Sequence, residues 1–287
     1  MMAKDTFFQI KTSLNVGGKI LDLSAPKVMG ILNITPDSFF EGSRTQSEKE
    51  ILTQAEKMLT EGADILDLGA YSSRPGATDI SVEEEKQRLI PAVKLIVKHF
   101  PEAVISVDTF RASIAKKAIE SGAHIINDIS GGNLDQEMFK TVGKLGVPYI
   151  LMHMKGTPQT MKDLTDYVDL CSEIKLYFSE KIAQLKQAGV KDIVLDLGFG
   201  FAKNIPQNFE LLKQLADFRT LGFPILAGLS RKSMIYKTLD IDANKALNGT
   251  TVLNTIALLN GASILRVHDV KEAREAILLI NKINPFH

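Results

Sequence analysis

The sequence predicts a single closed (β/α)8 barrel, and three observations carry that prediction. Helical stretches end in glycine at Gly62, Gly122, Gly146, Gly189, Gly222 and Gly261, and a short, often β-branched run follows each within a residue or two. Those runs are nearly continuous apolar, the pattern of parallel strands covered on both faces. The 287 residues show no composition break or linker, and one α/β barrel takes about 250 residues.

The opening strand falls near residues 28–33. The others fall near 64–69, 103–108, 124–128, 147–152, 191–197, 223–229 and 262–267. Glycine just past a helix adopts the left-handed conformation without Cβ strain and turns the chain into the next strand. Pro101, after His99-Phe100, marks the remaining junction. Between the strands the spacing is helical, as at Ile51, Ala55, Met58 and Leu59. A doubly wound open sheet is the alternative. It calls for a G-x-G-x-x-G turn after the first strand, where Asn33-Ile34-Thr35-Pro36 stands instead. Residues 1–26, with a Val16-Gly17-Gly18-Lys19 turn, read as a hairpin extension closing one barrel end, and 27–287 as the barrel itself.

Composition narrows the function. Lys+Arg and Asp+Glu are both 34, which argues against a nucleic-acid or anionic-membrane surface. Hydrophobic content of 45% with 24% charged residues excludes a disordered chain. A lone cysteine, Cys171, excludes an intrachain disulfide and a Cys-based metal centre, is expected in the core, and fits a reducing, cytoplasmic setting. Residues 1–13 lack the apolar core and cleavage site of a signal peptide. The uncharged run Ala246–Leu265 is broken at Gly261-Ala262 into a helix and a strand, so no membrane span is expected.

Barrel chemistry sits at the C-terminal strand ends, and every predicted strand carries polar residues at or near that end. They are Asn33, Asp67, Asp108-Thr109, Asn127-Asp128, His153, Asp196, Ser230-Arg231-Lys232 and Arg266-Val267-His268. A helix N-cap is the structural alternative for Asp108 or Asp128, and a packed core histidine for His153. Closure makes the first and last strands neighbours, so Asn33, Arg266 and His268 are expected to lie together. Guanidinium, imidazole and amide form an anion site for phosphate oxygens. Asn33 also offers an oxygen to Mg²⁺ bridging a diphosphate.

Asp108, Asn127, Asp196 and Lys232 converge from four other strands. Enclosed carboxylates and an amide need donors from a ligand, and a flat heterocycle with an amino group beside a ring N–H supplies them. A Schiff-base aldolase is the competing use of a barrel lysine, though Lys232 lies past its strand. Gly228-Leu229-Ser230 is expected to present backbone N–H groups at a helix N-terminus, a carboxylate site. Residues 35–39 and 71–77 form two loops at the mouth, read either as lids or as plain connectors.

These segments resemble the dihydropteroate synthase family. The likeness runs through Met29-Gly30-Ile31-Leu32-Asn33-Ile34-Thr35-Pro36-Asp37-Ser38-Phe39, Ser72-Ser73-Arg74-Pro75-Gly76, Ser106-Val107-Asp108-Thr109 and Ile126-Asn127-Asp128-Ile129. It continues in Leu151-Met152-His153-Met154, Asp196-Leu197-Gly198-Phe199-Gly200-Phe201, Gly228-Leu229-Ser230-Arg231-Lys232-Ser233 and Arg266-Val267-His268-Asp269-Val270. The resemblance implies a Mg²⁺-using transferase of folate biosynthesis, a sulfonamide target. It joins 7,8-dihydropterin-6-ylmethyl diphosphate to p-aminobenzoate, releases diphosphate and works as a homodimer through late helices.

It also implies roles. Asp108, Asn127, Asp196 and Lys232 would hold the pterin, with Asp67 near its diphosphate end. Asn33, Arg266 and His268 would hold the diphosphate with Mg²⁺ on Asn33, and Ser73, Arg74, Phe201 and Ser230 would line the aminobenzoate side. The sequence departs from the commonest family pattern at Ser73 (often Thr), Leu197 (usually Pro) and Glu41 (a loop Asp). Glu41 puts its own role in doubt. Rival readings are a corrinoid-dependent pterin methyltransferase, which has no use for Arg266 and His268, and a catalytically inactive pterin-binding paralogue.

Overall fold

A computed structural model describes residues 10–34, 44–71 and 80–283. The hairpin strands are β1 (Ser13–Val16) and β2 (Lys19–Asp22), paired antiparallel. The barrel strands are β3 (Lys27–Asn33), β4 (Ile65–Gly69), β5 (Val104–Asp108), β6 (Ile125–Asp128), β7 (Tyr149–Met152), β8 (Ile193–Asp196), β9 (Ile225–Ala227) and β10 (Ile264–Val267). They close in that order, all parallel, with β10 pairing back onto β3. Between them run α1 (Arg44–Thr60), α2 (Val82–His99), α3 (Ala112–Glu120), α4 (Met138–Leu145), α5 (Leu170–Gln187), α6 (Ile205–Lys213), α7 (Ser233–Tyr236) and α8 (Leu247–Leu259), and α9 (Val270–Ile283) follows β10. The predicted fold class is the one observed.

Local signals explain the elements. All six junction glycines take positive φ, from 66° at Gly146 to 103° at Gly122. The Ser81 side chain caps α2 by accepting from the Glu84 N–H, and Glu83, Glu84 and Glu85 face the positive end of that helix. Asn204 and Gln207 cap α6 reciprocally. No described helix is long and apolar enough to cross a membrane.

Strand alternation then divides the barrel interior by height. Met29, Ile65, Ile125, Ile150, Val194, Leu226 and Ile264, with the partly buried Val104, give one apolar residue from every barrel strand and form the floor. Leu14, Val16 and Leu23 of the hairpin segment pack against that floor from below. The seal is fastened by Asp192, which pairs with Lys11 and accepts the Asn15 N–H at 2.9 Å. Two residues further along each strand, on the same face, come Ile31, Asp67, Ser106, Asn127, Met152, Asp196, Gly228 and Arg266. The polar layer therefore sits directly above an apolar plug.

Leu14 is 1% exposed against the floor. Leu14→Ala is expected to lower unfolding free energy by about 3 kcal/mol, as buried leucine truncations do, without changing the chemistry at the opposite end. Urea denaturation beside steady-state kinetics checks both halves.

Candidate active site

The polar layer is organised by one arginine. Arg266 donates from Nε to Asp67 Oδ2 at 2.6 Å and from Nη2 to Asp108 Oδ2 at 2.8 Å. Asp67 is fully buried, and its Oδ2 also accepts from Asn127 Nδ2 at 3.0 Å. Asp67 Oδ1 and Ser106 Oγ, adjacent in strand register, have no hydrogen-bond partner among the described residues. Buried oxygens of this kind demand donors, so the layer has acceptor capacity for a bound molecule.

Burial governs the titration here. It pushes the Asp108 carboxyl up to about 7; Arg266 opposes that rise, and Asp67, Asp128 and Glu85 add to it. Burial also raises Asp196, against the pull of Lys232 and the Gly198 N–H. Lys232 is pushed down to about 8 by burial, with Asp196 restraining the fall. Its ammonium donates to the Phe199 carbonyl and lies 4.4 Å from the Phe201 ring centroid, a cation–π contact.

The structure sorts the sequence-derived residues. Asp108, Asn127, Asp196, Lys232, Asp67 and Arg266 belong to one electrostatically linked group. Of the expected cluster of Asn33, Arg266 and His268, two members have bonds to other side chains. Arg266 turns to the carboxylates, while His268 Nδ1 lies 3.0 Å from Ser230 Oγ. Asn33 ends β3 exposed. Ser73, Arg74 and Glu41, with most of both mouth loops, lie outside the described residues.

The N-cap alternative separates two aspartates. Arg111, not Asp108, occupies the N-cap of α3, without a side-chain capping bond. Asp128 braces a turn by accepting from the Ser130 and Gly132 N–H groups and from the Tyr149 hydroxyl at 2.6 Å. One expectation needs correcting. Gly228-Leu229-Ser230 is not a helix start, because α7 begins only at Ser233. Arg231 takes φ 55°, its N–H bonded to Thr250 and its guanidinium to both carboxylate oxygens of Asp269. That turn delays the helix.

His153 is a packed histidine, set edge-on to Tyr177. Burial and the neighbouring Lys203 and Lys155 push its imidazole down to about 2, so it is neutral. Sequence reading missed Lys203, a buried lysine bonded to His153 Nδ1 at 3.0 Å. It also missed Glu85, which accepts from Thr109 and Arg111 and anchors α2 to the end of β5. Glu85 had a visible signal, as a third consecutive acid in a helix that needs one buried face.

The fold is a closed parallel (β/α)8 barrel, and buried carboxylates, an amide and two cations gather at the C-terminal ends of its strands. The pterin binding enzyme family matches residues 29–268. Dihydropteroate synthase of Escherichia coli (strain K12) is 44% identical over 265 residues, covering 92% of this chain and 93% of the relative. The Yersinia pestis dihydropteroate synthase, solved with a sulfonamide drug, matches with TM-score 0.88 and 38% identity over 94% of this chain and 98% of that one. The Xanthomonas albilineans enzyme, solved with 4-aminobenzoic acid, matches with TM-score 0.87 and 36% identity over 95% and 98% of the two chains. The chain belongs to the pterin binding enzyme family and, within it, to the dihydropteroate synthases.

The two shifted groups predict a pH window for a ligand that engages both. Above about 7 Asp108 is ionised and accepts N–H donors; above about 8 Lys232 loses its charge. Pterin affinity, followed by calorimetry across the neutral range, is expected to peak between those values and fall on both sides. An affinity flat with pH would contradict the assignment of either group.

Proposed function

We propose that this transferase condenses 7,8-dihydropterin-6-ylmethyl diphosphate with p-aminobenzoate, releasing diphosphate and forming 7,8-dihydropteroate for folate biosynthesis. The carrying observation is the buried layer of Asp67, Asp108, Asn127 and Asp196, which offers acceptors to a heterocycle rich in N–H donors. In this reading Asp108, Asn127 and Asp196 accept from the pterin edge, and Lys232 donates to its carbonyl oxygen or a ring nitrogen. Arg266, His268 and Asn33 take the diphosphate. Phe201, Ser230, Ser73 and Arg74 flank the aminobenzoate.

The pterin methylene–oxygen bond breaks with its electron pair leaving on diphosphate. The electron-rich pterin bears the resulting methylene cation, the aniline nitrogen bonds to that carbon, and the nitrogen then gives up a proton. Arg266, a fixed cation, and His268, through a ring nitrogen, meet the charge that develops on the leaving oxygen, where preorganised donors and charges lower the barrier most. Holding the amine over the methylene carbon supplies the remaining advantage.

Mg²⁺ fits this mouth as a companion of the diphosphate. Among the described residues no group of three or more His, Cys, Asp or Glu could hold a metal. Asn33 offers one neutral oxygen, and Mg²⁺ commonly takes few protein ligands beside phosphates and water. Bound there, the ion would neutralise diphosphate charge. The neutral overall charge and the buried Cys171 support a cytoplasmic setting for the reaction.

The test is diphosphate release from the dihydropterin substrate with Mg²⁺, with and without p-aminobenzoate. Release that rises with the amine and yields dihydropteroate is expected. Arg266→Ala, read in protein shown to be folded, should lose release, and Asp196→Asn should lose pterin binding. Pterin binding without release under either condition would favour the inactive paralogue.

The assembly we propose is a homodimer through α8 and α9. These adjacent helices leave Val252, Ile256, Leu259, Leu279 and Ile283 exposed, Leu279 at 67% and Ile283 at 70%. Apolar side chains in that number on one face mark an interaction surface. Light scattering should report a dimer that Val252→Glu with Leu279→Glu converts to monomer; a monomeric parent protein would refute the assembly.

A further inference from the structure

Lys203 is 7% exposed and stands just beyond the turn that follows β8. Its ammonium donates to three acceptors at 3.0 Å each, His153 Nδ1, the Gly198 carbonyl and the Phe201 carbonyl. All three of its donors are thereby used. The two carbonyls bracket a turn in which the Phe201 N–H also bonds Gly198 O, at 3.0 Å.

Gly198 is obligatory in that turn. It takes φ 69°, and a Cβ there would lie 2.0 Å from the His153 carbonyl oxygen. The same glycine donates its N–H to Asp196 Oδ1 at 2.8 Å. Between the bracketing carbonyls, Phe199 supplies the oxygen that receives Lys232, and Phe201 supplies the ring beneath it. Asn208 holds the far side by accepting the Gly200 N–H at 2.6 Å and donating to the Lys203 carbonyl at 3.2 Å.

We propose that Lys203 is a positioning residue for the pterin subsite, clamping the Gly198–Phe201 turn so that Asp196 and Lys232 are aimed at the ligand. The proposal rests on the function given above and adds a residue to it. Lys203 touches no substrate; it acts through the turn. Burial pushes its amine down to about 7, with the Asp196 carboxylate opposing that fall. Its charge in turn favours the ionised form of Asp196, alongside Lys232 and Arg266. Neutral His153 suits the arrangement, since it accepts from Lys203 without adding a second buried cation.

Lys203→Met removes charge and donors, whereas Lys203→Gln removes the charge and keeps an amide able to reach a carbonyl. In folded protein, confirmed by melting, the Met variant should raise KM for the dihydropterin diphosphate about tenfold, the scale of one charge-assisted hydrogen bond, with kcat little changed. The Gln variant should recover part of that loss. In both variants the Asp196 carboxyl, followed by NMR in ligand-free protein and identified by its disappearance in Asp196→Asn, should titrate higher.

A merely structural lysine would lower melting temperature and leave the Asp196 titration where it was. That result, or an unchanged KM in a folded variant, overturns the proposal. Where the Met variant does not fold, the Gln variant decides alone. Parent protein that forms no dihydropteroate refutes the function instead, and the carboxyl titration still reads Lys203.

Discussion

Everything at the mouth of this barrel depends on Arg266 standing between Asp67 and Asp108. A carboxylate as deeply buried as Asp67 is tolerated only with a cation and further donors around it, and losing the cation alone from such a pair costs about 3–5 kcal/mol. Arg266 serves two carboxylates at once with the fork geometry that lysine lacks. The wider group is balanced as well, with Asp67, Asp108 and Asp196 facing Arg266, Lys232 and Lys203. Formal charge sums to zero before any ligand arrives. Burial is the largest cause of the shifts of Asp108, Asp196, Lys232 and Lys203.

The apolar floor makes such a layer affordable. One apolar side chain from each strand, backed by Leu14, Val16 and Leu23, keeps water from reaching the carboxylates from below. Ligand can then approach only from the strand ends, and each charge works in a low-dielectric surrounding where it counts for more. The hairpin thus contributes to chemistry by closing the end where none occurs. On the other side of the layer, Arg231 with Asp269 and Ser230 with His268 fasten the segment after β9 to the segment after β10. Lys232 and Arg266 consequently come from two segments bonded to each other.

Much of this was legible in the sequence. Glycine punctuation and apolar runs defined eight strands in the right order, because both reflect backbone rules that hold locally. The runs near 191–197 and 223–229 exceed the ladders at Ile193–Asp196 and Ile225–Ala227. Leu197 and Leu229 are buried by packing, not strand pairing, and hydrophobicity does not separate the two. Polar residues at the ends of apolar strands pointed to the cluster that Arg266 joins for a similar reason, although Asp128 braces a turn. Partnerships were less legible. Adjacency of the first and last strands suggested Asn33 beside Arg266, yet strand stagger sets Arg266 opposite Met29 and Asn33 opposite Gly69. Lys203 was invisible because the left-handed turn at Gly198 folds the chain back onto the end of β8.

The bonds that hold Arg266 bear on how the proposed substrate would be taken up. Arg266 is bonded to the Asp67 and Asp108 carboxylates, so under the proposed function a diphosphate that recruits it would draw a cation away from Asp108. Asp108 is already pushed up to about 7 with that cation in place, and without it the ionised form becomes costlier still. A ligand that engages Arg266 must therefore give Asp108 a hydrogen-bond donor in return. Under the proposed function a pterin bearing its diphosphate would do both at once, whereas free diphosphate would do only the first. By linkage each half of that substrate would strengthen the hold on the other, and breaking the methylene–oxygen bond would uncouple them. Loss of that coupling would return Arg266 to Asp67 and Asp108 and favour departure of the diphosphate.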